Sequence, residues 1–426
     1  MEQQALIAIG IFLATYALIV SEKIHRTIVA MIGGVLMVAL GIVEQDDALY
    51  HIDFNTIGLL AGMMIIVTVT AETGVFKYVA VWAAKKARGN PVRILVALCL
   101  ITAVGSAFLD NVTTVLLMVP VTFSITRQLR VSPMPYLISE IISSNVGGTA
   151  TLIGDPPNIM IGSAVKELTF SAFLANLAPI AAVIMLAYIP LFVRIYRKSL
   201  RTTPELIRSI MEMDEKESIT DRKRLVQSLS VLAMTILGFF LHQALHLESA
   251  TVALAGAFLL LLMTGEHSME HALAKVEWTT IFFFVGLFAL VAGLVETGVI
   301  SRLAVQAIDM TGGDPVASSM LILWLSAIAS AFLDNIPFVA TMIPMIQEMG
   351  NMGVSDLEPL WWSLALGACL GGNGSLIGAS ANLIAAGLAA KEGHPIKFVQ
   401  YLKIGFPLML LSVLLASAYV YLRYLL

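Results

Sequence analysis

Carboxylate and amide side chains recur at matched places in a chain that is otherwise strongly apolar. Asp110-Asn111 follows Ser106-Ala107-Phe108-Leu109, and Asp334-Asn335 follows Ser330-Ala331-Phe332-Leu333, an offset of 330 − 106 = 224 residues. The same offset carries Gly147-Gly148, Leu152-Ile153-Gly154 and Asn158 onto Gly371-Gly372, Leu376-Ile377-Gly378 and Asn382. It also carries Glu72-Thr73-Gly74-Val75 onto Glu296-Thr297-Gly298-Val299, and Pro120 onto Pro344. The halves therefore align without a gap over most of their length. An ionised carboxylate deep in a bilayer costs roughly 2.5–3.5 kcal/mol on insertion scales, and Ser or Asn would cap a helix nearly as well. Two identical and costly choices point to ion or proton handling. The competing reading is structural: Asp110 and Asp334 cap backbone N–H groups that a turn leaves without partners.

A second motif interrupts an apolar stretch, running from Gly147 through Thr149, Thr151 and Asp155-Pro156-Pro157 to Asn158; its counterpart passes through Asn373, Gly374 and Ser375 to Asn382. Glycines and hydroxyl residues unwind a helix, and the paired prolines suit the first turn of a restarting one. Unwound backbone at that depth is tolerated only within protein or around a cavity, where helix N-termini present N–H groups to a ligand. A kink made for packing is the plain alternative. The halves differ at Asp155, which faces Ala379, and at Glu140, which faces Leu364. Asp155 reads equally as a proton or cation ligand and as a simple N-cap. Glu140 reads as a satisfied buried acid or a lining residue, and Cys369 as a small packing residue or a contact for a thiophilic solute. The 21 methionines read as core and lipid-facing filler, and His242, His246, His267 and His271 as solvated positions.

The elements that must position these residues follow from composition. With 58% hydrophobic residues, 13% charged and a mean hydropathy of +0.88, the chain is a polytopic membrane protein. It carries no basic patch for nucleic acid. Cys99 and Cys369, its two cysteines, form no C-x-x-C pair, so neither a disulfide framework nor a metal site is expected. No Lys or Arg precedes the apolar run Ala5 to Val20, which argues for a retained first span rather than a cleaved leader. Spans of about 20 residues are expected at 4–20, 27–44, 56–71, 134–165 (interrupted), 176–196, 226–245, 250–265, 278–295, 359–390 (interrupted) and 404–424. Segments 91–126 and 315–347 read as re-entrant hairpins with Asp-Asn at their tips. The fold class expected is thus all-α, with ten transmembrane spans and two hairpins.

Cytoplasmic loops are enriched in Lys and Arg. With both termini outside, all of the 25 Lys and Arg except Lys166, Arg302 and Arg423 fall inside. An odd number of crossings per copy inverts the second copy relative to the first. The domain plan is repeat 1 at 1–196 (scaffold 1–88, transport part 91–196), a cytoplasmic linker at 197–225, and repeat 2 at 226–426 (scaffold 226–311, transport part 315–426). The linker reads as solvated, and Phe76–Arg88 and Ser301–Thr311 as interfacial amphipathic helices. No G-x-x-x-x-G-K-[ST], H-E-x-x-H or G-x-S-x-G motif occurs, and Asp155 lacks the G-x-G-D context of an intramembrane protease. An enzyme is not expected.

At Ser-Ala-Phe-Leu-Asp-Asn-Val-Thr-Thr (106–114), Gly-Asp-Pro-Pro-Asn (154–158), Asp-Asn-Ile-Pro-Phe (334–338) and the run from Gly367 to Asn382, the chain resembles the ion transporter superfamily, and within it the ArsB, NhaD and melanosomal P-protein branch. The resemblance covers nearly the whole chain. It implies an elevator transporter in which Asn111, Thr113, Thr151, Asn158, Asn335, Asn373, Ser375 and Asn382 bind the substrate while Asp110, Asp155 and Asp334 carry protons or cations. It implies no cofactor and no metal, a place in the cell membrane among lipid, and superfamily relatives that are often dimers. The function expected is export of arsenite or antimonite in exchange for protons. Exchanging a neutral solute for H⁺ gains roughly 2.3 kcal/mol per 100 mV, which at about 1.4 kcal/mol per decade supports about a fifty-fold gradient. That requires no ATP, although a cytosolic ATPase partner is compatible. A Na⁺/H⁺ antiporter is the alternative, and a P-protein-like anion channel or transporter a further one.

Overall fold

The structure, a computed structural model, describes residues 2–21 and 23–426, with the side chain of His267 outside that description. Helix is the only regular element among the described residues. The first half comprises α1 (Glu2–Ser21), α2 (Arg26–Ala39), α3 (Gln45–Tyr50), α4 (Phe54–Glu72), α5 (Val75–Lys86), α6 (Pro91–Leu109), α7 (Asn111–Leu129), α8 (Met134–Thr149), α9 (Pro156–Ala164) and α10 (Phe170–Tyr196). A linker helix α11 (Pro204–Met211) leads to α12 (Arg222–Leu241), α13 (Ser249–Thr264), α14 (Glu266–Lys275), α15 (Trp278–Glu296), α16 (Val299–Thr311), α17 (Pro315–Phe332), α18 (Asn335–Asn351), α19 (Glu358–Gly371), α20 (Ser380–Lys391) and α21 (Phe398–Val420). Helices α4 to α9 begin 224 residues before α15 to α20, so local sequence sets the same starts twice: Asn90 and Asp314 cap helices that open on Pro91 and Pro315.

Nine described helices are long and apolar enough to cross a membrane. Six of them, α1, α4, α10, α12, α15 and α21, fall on expected spans; α6, α7 and α17 are arms of the two hairpins. The other expected spans are the shorter α2 and α13 and the broken pairs α8/α9 and α19/α20. At 14 residues α2 is about 21 Å long, shorter than a hydrocarbon core of about 30 Å. Arg26, just outside the span expected at 27–44, is the first residue of α2.

The halves cross-pack reciprocally. Helix α2 lies against α15 and α4 against α13. Glycine permits the approach at both crossings: a Cβ on Gly286 would lie 2.6 Å from the Ala30 carbonyl carbon, and one on Gly62 2.7 Å from that of Ala253. Within each hairpin unit the first arm packs on the helix preceding the break, α6 on α8 and α17 on α19. There a Cβ on Gly147 would sit 2.0 Å from Ala103 O and one on Gly371 2.5 Å from Ala327 O.

Residues 197–225 are less solvated than expected. Leu200, Ile210 and Ser218 are buried; the Thr202 hydroxyl donates to Leu129 O at 2.8 Å and Thr220 N to Thr73 O at 3.0 Å. The segment is a strap across α5 and α7. Lys85 Nζ donates to Met213 O at 2.9 Å and to Glu215 Oε2 at 2.6 Å, and that bond holds the Glu215 carboxyl below the ordinary carboxylate range.

Two outcomes are expected. Gly147→Ala or Gly371→Ala forces α6 from α8 or α17 from α19, and overpacking of this kind costs about 1–3 kcal/mol; thermal unfolding in detergent reads the loss. A carboxyl with a lowered folded-state pKa stabilises above its unfolded value and loses that contribution as pH falls through the folded one. Acidification through and below the usual carboxylate range therefore loosens the strap, seen as faster hydrogen exchange over 212–220 in the wild type and as a much smaller pH effect in Glu215→Gln.

Candidate functional site

Each hairpin tip closes on the broken pair of its own half, through equivalent bonds. Ser106 Oγ donates to Ser144 O and Ser330 Oγ to Ala368 O, both at 2.6 Å. Thr151 Oγ1 donates to Ala107 O, and Ser375 Oγ to Ala331 O at 2.5 Å. The unwound carbonyls are met from within the motif. Asn158 Nδ2 reaches Thr149 O at 3.1 Å and Thr151 O at 2.9 Å, while Asn382 Nδ2 reaches Gly372 O at 2.7 Å and Ser375 O at 2.8 Å. Backbone freed from a helix must find such partners when buried. The donors of Thr151, Ser375, Asn158 and Asn382 are thus engaged in holding the breaks open.

At both tips the capping role is real and incomplete. Asp110 accepts from Thr113 N at 2.8 Å and from Thr113 Oγ1 at 2.7 Å; Asp334 accepts from Ile336 N at 3.2 Å. Asp110 has φ 71° and ψ 157°, a region essentially reserved for Gly that costs of order 1–3 kcal/mol. A glycine would relieve the backbone, so the carboxylate is what the position retains. Asp155 heads α9 without capping it; its Oδ1 instead accepts from Asn335 Nδ2 at 3.4 Å. The N-cap reading of Asp155 is therefore corrected.

The halves meet at amides. Asn145 Nδ2 donates to Asn373 Oδ1 at 3.0 Å and Asn382 Oδ1 at 2.9 Å, and Asn145 Oδ1 accepts from Asn111 Nδ2 at 3.2 Å. At the position equivalent to Asn145 stands Cys369, whose thiol points at Asn158 Oδ1 across 3.5 Å. Asn111 Oδ1, Asp155 Oδ2 and Asn373 Nδ2 are buried and lack partners among the described residues, where buried polar atoms are ordinarily satisfied.

Asp110, Thr113, Pro156, Ile336 and Ser380 line one pocket of about 20 Å³ with Arg26, Glu277 and Leu60 and Met64 from the middle of α4. The tip of the first hairpin therefore lies midway along α4. That volume accommodates roughly one water-sized occupant. A wider pocket of about 270 Å³ adjoins it, sharing Arg26 and Ser380 and reaching Asp334 past Ile24 and His25. Arg26 forms an ion pair with Asp334, donates to Ser380 Oγ at 2.5 Å and lies 4.9 Å above the Phe283 ring.

Sequence reasoning missed Arg26, Asn145, Ser380 and Glu277. The polar run Ser143-Ser144-Asn145 before Gly147 was a legible signal; Arg26 had none, since its counterpart is Ala250. Glu140 lies outside this constellation, with one oxygen bonded by Thr122 Oγ1 at 2.7 Å and the other without a partner among the described residues.

The family model described as "CitMHS: Citrate transporter" matches residues 16–367. The chain belongs to this family. An "uncharacterized transporter" of Mycobacterium tuberculosis is 43% identical over 426 residues, and a "46 kDa membrane protein" of Mycobacterium leprae 41% identical over 427, each alignment covering 99% of both chains. The P protein of Mus musculus is 36% identical over 500 residues, which take in 98% of this chain and 60% of that one. The fold matches the crystal structure of the Alcanivorax borkumensis YdaH transporter with a TM-score of 0.62 over 99% of this chain and 98% of the other, at 12% identity. The chain is accordingly a multi-pass membrane transporter of the ion transporter superfamily.

The bonds at the breaks yield a graded expectation. Asn382→Ala or Asn158→Ala leaves buried carbonyls without donors and costs about 1–3 kcal/mol, read as a lowered unfolding temperature in detergent; Asp155→Asn, which keeps the shape and the Asn335 contact, stays close to wild type.

Proposed function

We propose that this chain is a secondary active transporter that handles protons or a monovalent cation at Asp110, Asp155 and Asp334 and moves a small solute between the two hairpin tips. The observation that carries the reading is the convergence of both tips and both breaks on one small pocket lined by Asp110 and Glu277, with Asp334 in the adjoining pocket and the Asp155 carboxylate bonded to Asn335. The proposed cargo is arsenite or antimonite leaving in exchange for protons. Arsenous acid is uncharged near neutral pH, and Asn111, Asn335 and Asn373 offer amide groups suited to its hydroxyls, with the Cys369 thiol nearby. Thr113, Thr151, Asn158, Ser375 and Asn382 frame that space through the tip and break bonds.

The mechanism proposed is an elevator. Scaffold parts 1–88 and 226–311 stay fixed, transport parts 91–196 and 315–426 slide, and 197–225 links the copies on the cytoplasmic face. The reciprocal packing of α2 on α15 and α4 on α13, and of α7 on α20 and α18 on α9, supports two copies inserted with opposite sense. Both termini then lie outside, in the cell membrane. A homodimer and a cytosolic ATPase are compatible additions that the cycle does not require.

Na⁺/H⁺ antiport is the second reading, favoured by the size of the pocket: about 20 Å³ suits a dehydrated ion better than a polyatomic solute. The citrate of the family's name is a poorer cargo here, because a tricarboxylate would face Asp110, Glu277 and Asp334 with Arg26 as the cation opposing them. Proteoliposomes with an imposed pH gradient separate the cases: arsenite or Na⁺ flux that dissipates the gradient, against uncoupled anion current. Asp110→Asn and Asp334→Asn each lower the coupled flux at least tenfold; undiminished flux of every cargo in both variants would sink the proposal.

A further inference from the structure

Arg26 is the charged group that sequence reasoning left in a loop and the structure sets against the transport machinery. It belongs to the scaffold part of the first half, whereas Asp334 and Ser380 belong to the transport part of the second. Its guanidinium is held from three directions: the Asp334 carboxylate, the Ser380 hydroxyl at the start of α20, and the Phe283 face on α15. The N-terminus of α2 is fixed in turn by the Thr27 hydroxyl donating to Thr279 O at 2.7 Å. The Arg26 side chain is only 24% exposed and Asp334 9%. Arg26 lines both the small pocket between the tips and the wider one leading to it. Among the described residues Asp110 at the other tip has no such ion pair: Ala250 stands at the position equivalent to Arg26, and the acid Glu277 shares the small pocket with Asp110.

We infer that Arg26 is a tethered cation that competes with the transported cation or proton for Asp334, and so locks the transport part to the scaffold whenever Asp334 is without one. The inference rests on the elevator reading above. The Asp334 carboxylate, 9% exposed, is largely stripped of water and its charge is stable there only while paired, so the transport part cannot slide away from α2 leaving Asp334 bare. A cation or proton on Asp334 supplies the missing charge, weakens the Arg26 bond and frees the tip. Slippage of an unloaded carrier is thereby suppressed, which is the condition for tight exchange. Arg26 acts through Asp334 and is a positioning residue. Asp110, which forms no ion pair among the described residues, stays available to the occupant of the small pocket.

The experiment joins Ile24→Cys and Leu383→Cys, which line the two sides of the wider pocket, with a short bis-maleimide in membranes, leaving the buried Cys99 and Cys369 in place. Solute-independent cation and proton leak is measured in proteoliposomes alongside. Arg26→Gln should lower cross-linking at least threefold and raise leak at least tenfold, Arg26→Lys should restore both toward wild type, and Asp334→Asn should reproduce the cross-linking loss with no further change in the double variant. Wild-type cross-linking and leak in Arg26→Gln would overturn the lock. If the cargo or coupling ion still alters cross-linking in that variant, the elevator reading survives alone; if nothing alters it in any variant, both fall together.

Discussion

Unwound backbone inside a hydrocarbon layer must find its hydrogen bonds from nearby side chains, and this requirement shapes the whole molecule. Two apolar helices are broken near their middles, and the carbonyls that each break frees are taken up by the amide of Asn158 or Asn382. The adjoining hairpin tips are stapled on by Ser106 with Thr151 and by Ser330 with Ser375. Once both breaks are held open, their ends face each other through Asn145, Asn373 and Asn382, and the pocket between the tips follows. Glycine at 147 and 371 lets the hairpin arms come close enough for the staples to form.

Much of this was legible because a duplicated chain prints its constraints twice. The recurrence of Asn158 at Asn382 and of Asp110 at Asp334 marks the break and the tip in the sequence itself, and the helix starts recur at the same spacing. Repetition also misled. Residues that appear in one copy alone gave no echo, and these include Arg26 and Asn145, whose counterparts are Ala250 and Cys369. Counting Lys and Arg by loop assigns Arg26 only a side of the membrane, because residue counts do not register that the residue heads α2 beside Asp334.

Hydroxyl and amide residues in such motifs divide into those that keep the backbone open and those with atoms still unengaged. Sequence does not separate the two, because both kinds are equally required. Bond geometry does: Thr151 and Ser375 donate to carbonyls, whereas Asn111, Asp155 and Asn373 retain buried atoms without partners. The strap across α5 and α7 was hidden for a different reason, since a segment rich in Arg, Lys, Glu and Asp reads as solvated even when a few of its apolar residues, such as Ile210, are fully covered.

The exchange of an asparagine for a cysteine at positions 145 and 369 breaks the equivalence of the two halves at their meeting point. A carrier built from indistinguishable copies facing opposite ways would offer the same energy profile to a solute arriving from either side. Here one half contributes a bridging amide and the other a weakly polar thiol, so the two halves are chemically unequal where they meet.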